Sequence, residues 1–194
     1  MTQGPARQTL QANVDLAKAL FDQLDPLAGP LEKAAAMICE ALTGGHQMLC
    51  CGNGGSAADC AHLTTEIAGR YILERRGFAA IDLTANHSLV TALINDYPPQ
   101  QVFARQVQAL GRAKDVLVVL STSGRSVNIR NALEAARANR IGTIALLGRD
   151  GGVCKGMADV ELIVPGPTTA RIQEAHLLLY HTICDLIDPV LAGG

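Results

Sequence analysis

Tryptophan is absent from this 194-residue chain, and Phe and Tyr number only three each. So few aromatics give no surface on which nucleobases could stack. A basic excess is also missing: 16 Lys and Arg stand against 18 Asp and Glu, for a net charge of -2. Direct nucleic-acid binding is therefore not expected. A small phosphate needs only a local site, which the overall balance does not exclude. Long apolar runs are missing too. The most continuous, residues 116–120, is far below the ~20 residues that span a bilayer, so no membrane association is expected. The first residues, MTQGPARQTLQANVD, hold no apolar core of a secretory signal. None of the six cysteines forms a C-x-x-C pair. They read as buried thiols in a reducing cytoplasm rather than as disulfides or metal ligands. Nothing singles out Cys50 or Cys51 as reactive.

What is present is a globular composition, 48% apolar, in a length that suits one domain. No repeat, charge block or low-complexity linker interrupts it. The core must be built from Ala, Leu, Ile and Val. Residues 6–25 place Leu10, Val14, Ala17, Leu20, Phe21 and Leu24 near helical spacing. Pro26 and Pro30 break that pattern, and a second helix is expected over 31–42 before Gly44 and Gly45. Helices that precede every strand must bury their apolar stripe somewhere, so they are candidates for subunit packing.

Short apolar runs follow at 47–51, 79–83, 115–120, 142–147 and 160–164. They are continuous rather than alternating, the pattern of strands buried on both faces. The stretches between them read mostly as helices, notably 56–70 and 126–140. A last long helix is expected over 169–190. Strand and helix in alternation imply right-handed crossovers and a parallel sheet. The expected fold is an α/β three-layer domain with extra N-terminal helices.

Two turns carry chemistry. The first runs Cys51-Gly52-Asn53-Gly54-Gly55-Ser56, between a strand and a helix. Its glycines allow close backbone approach, and the helix start offers free N–H groups to an anion. No Lys follows, and the spacing fits neither nucleotide motif. The second runs Ser121-Thr122-Ser123-Gly124-Arg125-Ser126, again between strand and helix. Capping that helix needs one hydroxyl, and here there are four. Both turns fall at carboxyl ends of parallel strands, where open α/β sheets bind ligands. Together they point to a phosphorylated small molecule.

Acid–base groups lie nearby in sequence. His62 and Glu66, four residues apart, share one helix face. Gln173 and His181 lie broadly on one side of the last helix, with His176 turned away from His181. His and Glu are suitable zinc ligands, whereas Gln is less usual. Glu66 and His181 also suit the proton transfer between adjacent carbons of a sugar. Spacing alone is weak evidence for either role, since H-x-x-x-E is common by chance and a surface pair of His62 with Glu66 stays open.

The segments CGNGGSAADCAH, EIAGRY, ALINDY, STSGRS and RIQEAHLLLYH resemble, in order, those of the bacterial phosphoheptose isomerases of the sugar isomerase (SIS) family. The resemblance covers about residues 48–188. It implies a three-layer SIS fold with a central five-stranded parallel sheet, flavodoxin-like, over 46–194, and a helical extension over 1–45 that packs in the oligomer. It implies isomerisation of sedoheptulose 7-phosphate to D-glycero-D-manno-heptose 7-phosphate through an enediol, in heptose supply for lipopolysaccharide core or related glycans. It also implies a homotetramer with sites between subunits.

Carried onto this chain, substrate contacts fall to Asn53, Gly54, Gly55, Ser56, Glu66, Asn95, Asp96, Ser121, Thr122, Ser123, Ser126 and Gln173. Glu66 and His181 match the acid–base pair. His62, Glu66, Gln173 and His181 match the positions that hold Zn2+ in zinc-bearing members, and Arg70 matches a residue near the site. A Glu held on zinc is less basic, so a metal-assisted and a metal-free route stand side by side. Arg125 replaces the Asn usual in this loop, and Pro98-Pro99 replaces a Gly-containing turn. The alternatives are a non-enzymatic SIS module binding a replication initiator protein, or an isomerase of another phosphosugar. The module lacks the Glu and final His that this chain keeps.

Overall fold

The computed structural model describes residues 4–193. Five strands form one parallel sheet: β1 (Met48–Gly52), β2 (Ala80–Asp82), β3 (Val116–Ser121), β4 (Gly142–Gly148) and β5 (Val160–Val164), in the order β2-β1-β3-β4-β5. Met48 sits opposite both Ala80 and Val116, Val116 opposite Gly142, and Ile144 opposite Val160. Residues of β1, β3 and β4 are almost wholly buried, as continuous apolar runs require of a sheet covered on both sides.

Alternate residues feed two cores. Met48, Cys50, Val116, Val118 and Leu120 join the first, with α2 (Ala28–Thr43), α3 (Gly55–Ala68) and α7 (Thr169–Ala192). Leu49, Cys51, Leu117 and Val119 join the second, with α5 (Val102–Leu110) and α6 (Val127–Ala138). The remaining helices are peripheral. α4 (His87–Asp96) buries no residue, and α1 (Pro5–Phe21) buries only Leu20.

The N-terminal helices therefore divide. α2 buries Leu31, Ala34, Ile38 and Leu42 in the first core. α1 leaves Leu10, Val14, Leu16 and Phe21 exposed. α2 also begins earlier than its proline suggested. Pro30 is the third residue of its first turn, where an N–H has no partner within the helix, so a proline is tolerated. Pro98 and Pro99 lead through a 3-10 turn, Pro99–Gln101, into α5.

The strand order places the site. The chain leaves β1 toward one edge, to β2, and leaves β3 toward the other, to β4. Their carboxyl ends thus flank the crevice that opens where the winding reverses. Both turns emerge there. Among the described residues no helix is long and apolar enough to cross a membrane.

Candidate active site

The two turns line a cavity of about 50 Å³, walled by Asn53 and Ser56 on one side and Ser121, Thr122, Ser123 and Ser126 on the other. Its walls present hydroxyl and amide groups, the neutral donors that suit a tetrahedral anion. Ser121 Oγ accepts from Gly124 N at 3.1 Å, and Ser123 Oγ accepts from Arg125 N at 3.2 Å. Ser126 is the N-cap of α6, yet its side chain makes no capping bond. Its hydroxyl lies 3.5 Å from that of Ser121 and is open to a ligand. Gly124 is fixed by shape: its φ is +62°, and a Cβ there would overlap the Gly151 carbonyl.

A reciprocal amide pair joins the two turns. Asn53 donates to Asn128 Oδ1 at 3.0 Å, and Asn128 donates to Asn53 Oδ1 at 2.8 Å. Asn128 Oδ1 also accepts from Ile129 N, at 3.0 Å, inside the first turn of α6. The N-termini of α3 and α6 meet at this cavity, each with the positive end of its dipole, although Ser56, Ala57 and Ala58 N–H at the start of α3 already donate to the carbonyls of Asn53 and Gly54. Gln173, from α7, lays its amide over Gly55, where a Cβ would displace it.

A second group lies further along α3. His62 Nε2 is 3.0 Å from Glu66 Oε1, and His62 Nδ1 is 2.9 Å from the Tyr180 hydroxyl. The His62 and His181 rings meet edge to face at 5.0 Å, and Tyr71 stacks on His181 at 5.9 Å. One donor atom from each of His62, Glu66 and His181 lies within 4.8 Å of the others. Two ligands on a tetrahedral zinc stand about 3.4 Å apart, given bonds of roughly 2.1 Å. Small side-chain rotations would therefore close the trio on a metal, and its N and O donors suit zinc. Burial pushes the Tyr180 phenol well up, and the Asp59 charge adds to that shift. Asp59 Oδ2 is itself buried without a partner, and burial raises its carboxyl.

Gln173 does not join that trio within one chain. It is eight residues from His181 on α7, about 12 Å along the axis at 1.5 Å per residue. Ser56 and Glu66, ten residues apart on α3, are separated by about 15 Å on the same measure. The hydroxyl-lined cavity and the His62, Glu66 and His181 trio of one chain are thus two separate groups, not one pocket. Asn95 and Asp96 are exposed at the end of α4 and bond one another at 2.8 Å. Neither lines the cavity. Arg70 is exposed and pairs with Glu74 at 3.7 Å. The Arg125 side chain reaches the exposed Asp150 at 3.4 Å rather than the cavity. Five of the six cysteines are buried and all are unpaired. Burial pushes Cys51 well up and Cys184 to about 12, which makes both poor nucleophiles.

The trio has a rigid support. Arg75 and Asp188 form an ion pair at 2.9 Å, with side chains only 2% and 3% exposed. Asp188 also accepts from Ile72 N at 3.0 Å and Leu73 N at 2.8 Å. Arg75 donates to the backbone carbonyls of Glu66 at 2.7 Å and Ile67 at 3.2 Å. Arg75 thereby caps the end of α3 that carries Glu66 and ties it to α7. Burial opposes the Asp188 charge, but the donors from Leu73, Arg75 and Ile72 outweigh it and hold the carboxyl below its usual range.

Comparison with known proteins agrees with this fold. The SIS domain family matches residues 14–148. The phosphoheptose isomerase of Aliarcobacter butzleri is 48% identical over 169 residues, 87% of this chain and 89% of that protein. The chain belongs to the phosphoheptose isomerase family. Among solved members, GmhA from Neisseria gonorrhoeae superposes with a TM-score of 0.88 at 43% identity, covering 94% of this chain and 99% of the other. The phosphoheptose isomerase from Francisella tularensis gives 0.86 at 36%, covering 95% and 96%.

Within this phosphoheptose isomerase chain, sequence reasoning missed Asn128, Tyr180 and the pair Arg75–Asp188. Asn128 had one available signal, an Asn in the first turn of a helix that follows a ligand loop. Tyr180 had none, because a Tyr beside His181 reads as an ordinary core residue until α3 and α7 are packed together.

Proposed function

We propose that the chain interconverts sedoheptulose 7-phosphate and D-glycero-D-manno-heptose 7-phosphate. The observation that carries this reading is the gathering of Glu66, His62 and His181 in a fold whose sheet end also offers an uncharged hydroxyl cradle. A binding module needs the cradle but has no use for the acid–base pair, so the enzyme is favoured over the initiator-binding alternative.

The cradle takes the phosphate through the Ser and Thr hydroxyls and the positive dipole ends of two helix starts. The chemistry is a proton relay between C1 and C2. A base removes a C1 proton from the ketose while an acid protonates the C2 carbonyl oxygen, giving the enediol. The O1 proton then leaves and C2 gains a proton, giving the aldose. Glu66 and His181 fill these two roles. Where zinc is held by His62, Glu66 and His181, it would supply Lewis-acid polarisation of the sugar oxygens. Glu66 would then be a weaker base. Gln173 completes the ligand set only if another copy of the chain supplies it.

We take the working unit to be a homotetramer with composite sites. The separation of about 15 Å along α3 between cradle and trio supports this, as do the exposed Leu10, Leu16 and Phe21 on α1 and Leu178, Leu186 and Val190 on α7. The same reading puts the enzyme in the cytoplasm, where thiols stay reduced, at the start of heptose supply for lipopolysaccharide or a related glycan. Incubating the purified protein with sedoheptulose 7-phosphate, with zinc or with a chelator, tests it. Appearance of the aldose is expected. No aldose under either condition would overturn the reading, and a chelator without effect would remove the metal from it.

A further inference from the structure

The His62 imidazole is held at both nitrogens. Nε2 faces Glu66 Oε1 at 3.0 Å, on the side where His181 completes the trio. Nδ1 faces the hydroxyl of Tyr180, a fully buried residue, at 2.9 Å. The Glu66 carboxylate can only accept, so without a metal the proton of a neutral His62 belongs on Nε2. Nδ1 is then a bare acceptor, and Tyr180 must donate to it. A cation in the trio reverses this. Nε2 must present its lone pair to the metal, so the imidazole proton moves to Nδ1, and Tyr180 must accept. A phenol has one O–H and two lone pairs and can play either part. Its own proton then needs an acceptor. The Asp59 carboxylate stands one helical turn before His62. Its Oδ2 is buried and unpartnered, and its charge acts on both the phenol and the imidazole.

We propose that Tyr180 is a positioning residue that holds the His62 ring in whichever tautomer its Nε2 partner imposes, donating to Nδ1 in the metal-free site and accepting from Nδ1–H when Nε2 holds a divalent cation, with its own hydroxyl then turned to Asp59. The exchange balances: one proton leaves Nε2 and one arrives at Nδ1 through solvent, and the phenol keeps its own. The loaded half of the proposal rests on the metal reading given above. The metal-free half does not.

The test is 15N NMR of histidine-labelled full-length protein, first without metal and then during titration with zinc alone. Wild type is expected to show His62 as the Nε2–H tautomer and to convert to Nδ1–H as zinc is added. Tyr180→Phe deletes one oxygen from the buried ring. It is expected to keep the metal-free Nε2–H tautomer, which Glu66 imposes, and to bind zinc about 10- to 100-fold more weakly, the usual loss for a partner behind a metal ligand. Asp59→Asn is expected to weaken zinc binding by less, with the metal-free tautomer kept. A metal-free wild type in the Nδ1–H form would overturn the proposal without any variant. So would a folded Tyr180→Phe protein that binds zinc within twofold of wild type. A wild type that takes up no zinc would overturn the metal reading and the loaded half together, and the wild-type titration alone identifies that case.

Discussion

Asp188→Ala should be among the most damaging single changes near the site. The carboxylate accepts three hydrogen bonds, from Ile72 N, Leu73 N and Arg75 Nε. Its removal leaves the Arg75 guanidinium charged in a place where its side chain is 2% exposed. Breaking a buried pair from one side costs about 3 to 5 kcal/mol, because an uncompensated charge remains. A domain of this size shifts by about 2 to 4 °C per kcal/mol, so thermal unfolding followed by circular dichroism should fall by about 6 to 20 °C. The same change should lower kcat, since Arg75 also holds the backbone carbonyl of Glu66. Replacing both partners with apolar residues, Arg75→Met with Asp188→Leu, removes the stranded charge and should recover most of the stability. The pH dependence has a defined sign. The Asp188 carboxyl lies below its usual value in the folded state. Its contribution is therefore complete above the unfolded value of about 3.9 and fades as pH falls below it. Asp188→Ala should lack that acid-limb loss. A single variant within 2 °C of wild type, or a double variant no more stable than the single, would refute the reasoning.

His176 gives a second pH effect. It is fully buried, its Nε2 lies 3.2 Å from the Leu147 carbonyl oxygen, and burial lowers its pKa to about 4. Stability should be complete above pH 6.5 and fall by about 3 kcal/mol between pH 6.5 and 4. His176→Phe should flatten that window in denaturant titrations, and an unchanged slope would count against the assignment. Asn128→Ala should reduce kcat/KM about tenfold, the worth of roughly one hydrogen bond, with little change in melting temperature. A normal kcat/KM would remove the Asn53–Asn128 pair from the site. Mixed oligomers of Ser121→Ala/Ser123→Ala and Glu66→Gln chains should regain activity that neither parent has. Recovery follows only if cradle and trio come from different chains, and its absence would return the site to a single subunit.

Most of the sheet was readable because β1, β3 and β4 are buried on both faces and so appear as unbroken apolar runs. The cradle was readable because its ligands are contiguous: one loop supplies Asn53 and Ser56, the other Ser121 to Ser126. The trio needed more. His62 and Glu66 are visible as neighbours on one helix, but His181 joins them only when α7 packs along α3. Tyr180 and Asp188 act across that same contact, between residues more than 110 positions apart, and no local pattern announces them. Gln173 shows the converse. Its position matched the metal set, yet within one chain its amide lies over Gly55, about 12 Å along α7 from His181.

The central claim is that Glu66 and His181 move the proton of a phosphosugar bound in the hydroxyl cradle. Steady-state turnover of sedoheptulose 7-phosphate by wild type, Glu66→Gln and His181→Ala tests it most directly. The account predicts aldose formation by wild type and a fall in kcat of about 10²- to 10⁴-fold in each variant, with KM changed far less because the cradle is intact. Either variant turning over at the wild-type rate would contradict it.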